Sequence, residues 1–240
     1  MALTPRILAV TPRYRRLGRA IVAAIRMIDA APCPVEHLDM ANDQPFGREG
    51  PGRTGNLNVL YLYSRAREIF LRGDWTHMLT LEDDIVPPAD AISKLLACDA
   101  PVAYSLYCWR RVGHPWSLYR ILFEDSGASW IKDRPLEAER LARNGEVRDV
   151  MGLGLGCTLI RRDVLEQIAF RQPATGRAAC DWYFALDVGK AGIQQVGHFG
   201  VACGHIRMDP SPKIIWPDPD EPGHYRYERF EVPAPELEAA

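Results

Sequence analysis

The sequence predicts an α/β/α sandwich with a mostly parallel central sheet, and three observations carry that expectation. Short apolar runs suited to buried strands alternate with stretches whose apolar residues recur at helical spacing, the order that βαβ units require. At 240 residues the chain can bury a sizeable core without staples. Its composition, 47% hydrophobic and 25% charged, is that of an ordinary globular domain.

Residues 6–10 read as the first buried strand, ended by Thr11 and Pro12. Leu17, Ile21, Ala24, Ile25 and Ile28 then recur with helical period, giving a helix over 15–30 that Pro32 and Pro34 stop. A second strand follows over 35–40, and the glycine-rich stretch 42–55 reads as a loop. An amphipathic helix is expected over 56–72, with Leu57, Leu60, Tyr61, Ser64 and Ile69 inward. Residues 77–81 form an apolar strand, Pro87 and Pro88 open a helix over 89–98, and 102–108 is the next strand. Such a βαβαβαβ order implies right-handed crossovers. The charged segment 110–146, with Trp116 and Trp130, breaks the rhythm and reads as an insertion on the acceptor side of any site. Residues 147–160 are strand-like but glycine-dotted; a short helix over 162–169, a loop over 172–179, a helix over 180–191 closed by Gly192, and a strand over 193–201 complete the pattern. One domain is expected over 1–232, with a frayed Pro/Ala/Glu-rich tail over 233–240.

A net charge of −2 argues against whole-protein attraction to nucleic acid or anionic lipid, although Arg13, Arg15, Arg16 and Arg19 leave room for a local anionic ligand. The six cysteines are scattered, with no CxxC pair, which speaks against a disulfide framework or a cysteine zinc site. The first residues lack the regions of a signal peptide, and no run approaches the ~18 apolar residues of a membrane span. The expected location is the cytoplasm.

The strand over 77–81 runs straight into Glu82-Asp83-Asp84. Three successive carboxylates repel one another, and a bound divalent cation removes that cost; oxygen ligands suit Mn²⁺ or Mg²⁺. Strand ends are also where open α/β sheets take ligands. The plainer alternative is a solvated acidic turn in which Asp84 caps a helix. Gly152-Leu-Gly-Leu-Gly156 fails as a dinucleotide fingerprint, because its spacing is GxGxG and it lies outside the first βα unit.

The segment HMLTLEDDIVPPADAISKLL resembles the metal-binding segment of GT-A glycosyltransferases, in particular the family 2-like enzymes, with Glu82 where the first Asp of the DxD motif usually stands. GLGCTLIRRDVLEQI, CDWYFALDVGKAGIQQVG and VACGHI resemble later family segments in the same order, so the likeness spans about residues 5–207. It implies a GT-A (Rossmann-like) fold in which Asp84, Glu82 and His205 hold the metal that bridges a nucleotide diphosphate. Asp83 and Glu82 would stand at the donor, and Asp181, opening its helix, would be the general base. Thr11 and Asp39, at the first two strand ends, would face the nucleotide; Arg13 or Arg65 would meet a phosphate.

The resulting expectation is transfer of a sugar from a UDP- or GDP-linked donor to an acceptor hydroxyl, with inversion at the anomeric carbon. The acceptor class stays open: glycan, protein, lipid-linked sugar or modified nucleic-acid base. A nucleotidyltransferase is the rival enzyme, but Val10-Thr11-Pro12-Arg13 supplies no glycine-rich phosphate loop. A non-catalytic carbohydrate- or nucleic-acid-binding module is the other rival; it leaves the three carboxylates without a role.

Overall fold

The computed structural model describes residues 4–14, 17–47, 53–108, 120–123, 127–130, 144–172, 179–208, 211–217 and 225–231. β1 (Ile7–Arg13) opens with four consecutive apolar residues, all buried, as a strand covered on both faces requires. It pairs in parallel with β2 (Val35–Ala41) on one side and β3 (His77–Leu81) on the other. Its side chains alternate between two cores. Ile7 and Ala9 join Ala24 and Met27 of α1 (Gly18–Asp29), whereas Leu8 and Val10 join Leu62, Tyr63, Ala66 and Phe70 of α2 (Arg53–Arg72). α3 (Ala91–Ala97) lies on the α1 side; α4 (Arg162–Gln167) and α5 (Cys180–Lys190) lie on the α2 side. Three layers result, helix, sheet and helix.

β5 (Val102–Tyr107), β9 (Cys157–Arg161) and β10 (Gln195–Arg207) complete a central order β10-β5-β9-β3-β1-β2. Five of these six strands point the same way, and β9 alone is antiparallel to both its neighbours. The fold is mixed α/β with a mostly parallel central sheet. Around β10 the sheet is extended by antiparallel pairing with β4 (Ile85–Val86), β8 (Val147–Asp149) and β11 (Lys213–Pro217), the last carrying β12 (Tyr225–Arg229). β6 (Arg120–Phe123) and β7 (Gly127–Trp130) make a separate hairpin.

Several boundaries differ from the sequence expectation. β1 continues through Thr11 and Pro12 to Arg13, because pairing with β3 ends at Val10 and a residue lacking an N–H is tolerated on that open side. α2 starts at Arg53, inside the expected loop. α3 starts at Ala91 rather than at the prolines, since residues 85–86 are held extended against β10 and the chain stays extended into Pro87. Residues 147–160 split into β8 and β9, with an irregular glycine stretch between. β10 runs six residues beyond Val201: after a register shift between Gly197 and Ala202 it gains β4 and β11 as partners, so His205 lies inside a strand instead of at its end. Gly192, at φ +70°, closes α5. Arg15, Arg16, Trp116, most of 110–146 and the tail 233–240 lie outside the described residues. Among the described residues no helix is long and apolar enough to cross a membrane.

Candidate active site

The carboxyl ends of β1, β2, β3, β5 and β10 share one edge of the sheet, and reversal of β9 brings its glycine-rich amino end to the same edge. There Glu82, Asp83 and Asp84 leave β3 in a turn fixed by Glu82 N–H donating to Gly156 O (2.9 Å) and Ile85 N–H to Glu82 O (3.1 Å). Asp83 and Asp84 engage different parts of the chain. Asp83 Oδ2 accepts the backbone N–H of Tyr14 at 2.5 Å, tying the acidic turn to the exit of β1. Asp84 turns toward His205, and its backbone O accepts Ile206 N–H at 2.7 Å. The charge of Glu82 is felt at Tyr63, Tyr107 and Cys180, where it disfavours the ionised form.

Asp84 and His205 are both buried, at 9% and 4% exposure. A carbonyl oxygen only accepts, so the 2.6 Å contact of His205 Nδ1 with Cys108 O places a proton on Nδ1. In the neutral ring, Nε2 then presents a lone pair toward Asp84 Oδ2, 3.5 Å away, and among the described residues no hydrogen bond reaches Nε2. Two acceptors facing each other under cover are a poor arrangement on their own. A shared cation resolves it, either a proton that makes an imidazolium–carboxylate pair or a metal ion, and a carbonyl on the far nitrogen is the usual way a ligating imidazole is oriented. Among the described residues no group of three or more His, Cys, Asp or Glu side chains is arranged to hold a metal ion, so Glu82 does not complete a cluster with this pair.

Beside the pair stands Tyr107, the last residue of β5. Its ring meets His205 edge-on, with centroids 5.4 Å apart, and its hydroxyl accepts Gly156 N–H at 3.2 Å. Gly154 and Gly156 are what admit it. A Cβ at Gly154 would lie 1.8 Å from the Tyr107 hydroxyl, and one at Gly156 would lie 2.7 Å from the ring. Burial first, then the charges of Glu82 and Asp181, push the Tyr107 phenol well above its usual range; the same two carboxylates add to burial at Tyr63. Asp181 is the second residue of α5. It bonds Trp182 N–H through Oδ1 (2.7 Å) and sits in the first turn, where the helix dipole favours an anion. The position before the helix belongs to Ala179, so Asp181 is not the N-cap.

At the ends of β1 and β2, Thr11 Oγ1 lies 2.9 Å from His37 Nε2, and Arg13 Nε donates to both Asp39 oxygens at 2.7 and 2.8 Å. The strand register, Thr11 opposite Asp39, brings these four side chains together. Arg65 does not join them: it is exposed on α2, where it bonds the Tyr61 hydroxyl (3.2 Å) and lies over that ring. Tyr107 and His37 were not singled out in the sequence. His37 shares the period-two face of Asp39, and the glycine run signalled that something bulky faced it.

No protein-family model matches the chain, and no curated protein matches it in sequence. Among solved structures it is similar to A197 from STIV, at 18% identity over 95% of this chain and 96% of that one, with a TM-score of 0.56, which is a likeness of fold. Weaker likenesses are to glucosyl-3-phosphoglycerate synthase from Mycobacterium tuberculosis, in complex with Mn²⁺, UDP and glucosyl-3-phosphoglycerate (15% identity, 81% and 70% coverage, TM-score 0.43), and to the inositol-1-phosphate CTP transferase from T. maritima (8%, 85% and 89%, 0.41).

Proposed function

We propose that this chain is a metal-dependent glycosyltransferase of the GT-A type, moving a sugar from a UDP- or GDP-linked donor to an acceptor hydroxyl with inversion. The observation that carries the reading is the buried Asp84–His205 pair, a carboxylate facing an imidazole nitrogen at the carboxyl edge of the sheet. These two residues would hold Mn²⁺ or Mg²⁺, with Glu82 at the same turn. When bound, the ion supplies Lewis-acid stabilisation of the departing diphosphate.

The remaining work falls to the chain itself. Thr11, His37, Arg13 and Asp39 form a polar shelf at the first two strand ends, suited to a nucleoside and its phosphates. Asp83 keeps the exit of β1 against the acidic turn, so shelf and ion site move as one. Asp181, across the glycine stretch, accepts the proton of the acceptor hydroxyl as that oxygen attacks the anomeric carbon. Arg65 takes no part in this arrangement.

Calorimetric titration of UDP and GDP with and without Mn²⁺ tests the reading. Wild type should bind one of them far more tightly with the ion. Asp84→Ala should lose the metal-dependent part with the fold intact, and His205→Ala should lose less. Equal affinity with and without Mn²⁺ in wild type, or an unchanged metal effect in Asp84→Ala, overturns it.

A further inference from the structure

We propose that the face of β10, β11 and β12 beside His205 is the acceptor subsite, and that it takes a phosphate-bearing acceptor held by Lys213 and Arg229. The proposal rests on the glycosyl-transfer reading above and supplies what that reading leaves open, the chemical class of the acceptor.

Strand register puts the cations there. Arg207 lies opposite Lys213, and Lys213 opposite Arg229, so three basic residues stand side by side on one face of three antiparallel strands. The next row on that face is His205, Ile215 and Tyr227, which joins it to the ion pair. Lys213 Nζ lies 5.2 Å from the centroid of the Tyr227 ring, as a shared face requires. Burial first, then the charge of Cys108, pushes the Tyr227 phenol up, and the charge of Arg207 opposes this, so both groups lie in its neighbourhood. Cys108 is also the residue whose carbonyl orients His205. Glu228 is the one carboxylate in these three strands, and it alternates to the other face, where it pairs with Arg19 of α1 at 3.1 Å. Among the described residues no carboxylate pairs with Lys213 or Arg229, and Arg229 and Tyr227 are exposed.

Like charges directly opposite one another weaken a sheet, and an anion lying across them reverses that effect. A phosphate fits the task better than a carboxylate. It carries up to two charges, and its several oxygens can be shared between an ammonium and a guanidinium on neighbouring strands. Topology assigns this anion to the acceptor and not to the donor. The polar shelf for the nucleotide stands at the ends of β1 and β2, whereas β10 lies beyond β3, β9 and β5 in the sheet order. Four strand spacings separate β1 from β10, about 19 Å, with the acidic turn after β3 between them. A donor on the shelf that reaches the ion from one side leaves the β10–β12 face to the molecule arriving from the other.

The test uses the whole chain saturated with UDP and Mn²⁺, so that the donor site is filled. Two phosphate probes are then titrated by calorimetry, glucose 6-phosphate and an oligothymidylate of about eight nucleotides. Wild type should bind at least one of them; the sugar phosphate alone marks a small acceptor, the oligonucleotide alone a nucleic-acid strand, and either upholds the subsite. Arg229→Gln should weaken that binding by about tenfold, the worth of a hydrogen bond from a charged donor, and the double variant Lys213→Gln/Arg229→Gln should weaken it further. With the oligonucleotide, the slope of log affinity against log salt should flatten by about 0.7 for each cation removed. Mn²⁺-dependent UDP affinity should stay within about twofold of wild type in both variants, with Tm close to wild type. Arg226→Gln removes the same charge from the same strand but on the opposite face, across from Trp216, and should leave probe binding unchanged. Equal losses in Arg226→Gln and Arg229→Gln overturn the proposal, since net charge alone would then explain them. A fall in UDP affinity matching the fall in probe affinity overturns it too, because the cations would then serve the donor. Wild type that fails to bind UDP with Mn²⁺ brings down the glycosyl-transfer reading and the acceptor subsite together; wild type that binds UDP but neither probe removes only the subsite.

Discussion

In the proposed transfer Asp181 takes the acceptor's proton, and a single-atom change isolates that role. Asp181→Asn keeps the shape and the bond to Trp182 N–H but cannot take up a proton. We expect Tm and Mn²⁺-dependent UDP affinity close to wild type, and nucleotide-sugar hydrolysis slowed by about 10²-fold or more. Near-normal turnover would make Asp181 a helix-start residue and send the search for the base to Asp187 on the same helix, which is held by Arg171. The acidic turn could be read in the sequence because its three members are adjacent. Asp84 with His205, and Tyr107 with Gly154, could not: each pair is made by strands far apart in the chain, and no local pattern records which residue a strand end will meet. Arg65, expected at a phosphate, is exposed on α2 and contacts Tyr61.

Helices α2 and α4 stabilise each other by exchanging arginines. Arg162, the first residue of α4, donates to the carbonyls of Phe70 and Leu71 in the last turn of α2 and of Trp75 just beyond it, and lies over the Phe70 ring. Arg67 of α2 donates in return to Leu165 O and Ile168 O at the end of α4. Carbonyls at helix ends lack intrahelical partners, so each guanidinium does for the other helix what its own residues cannot. Arg162→Ala should cost about 2 kcal/mol in urea unfolding, since hydrogen bonds from a charged donor are among the stronger ones. Arg162→Lys should recover less than half of it, because a point charge cannot span three carbonyls. No change in the urea midpoint would rule the exchange out as a stabiliser. The spans of the helices and of the long buried strands were legible from apolar spacing, but the buried helix faces were not. α1 exposes Ile21 and Ile25 and buries Ala20, Ala24 and Met27, and α2 buries Leu62, Tyr63, Ala66 and Phe70. β4 was not legible, as two residues carry no period, and neither was the direction of β9, since an apolar run fits either orientation.

At the scale of the whole molecule, acid should weaken the fold from near neutrality. Burial disfavours the charged form of His37, His77 and His198, so each titrates below its ordinary 6.5; Arg161 adds to this at His77 and Lys94 at His198, while Asp39 opposes it at His37. Below that value the unfolded chain binds more protons than the folded one. The stability these sites contribute is therefore complete above pH 6.5 and is lost as pH falls through it toward the folded values. Tm should drop between about pH 7.5 and 5.5, and His77→Gln should make the drop shallower; a flat profile would contradict the assignment. The three-layer architecture was legible from the strand–helix alternation, whereas the β4–β10–β11 extension that encloses His205 depends on contacts across most of the chain. The reversed strand β9 also sets a schedule for biosynthesis. It occupies the slot between β3 and β5, so a nascent chain that has not yet emerged past Arg161 carries two raw strand edges with nothing between them. Such edges recruit other chains. Until the ribosome has delivered those five residues, β3 and β5 have nothing to join them into one sheet.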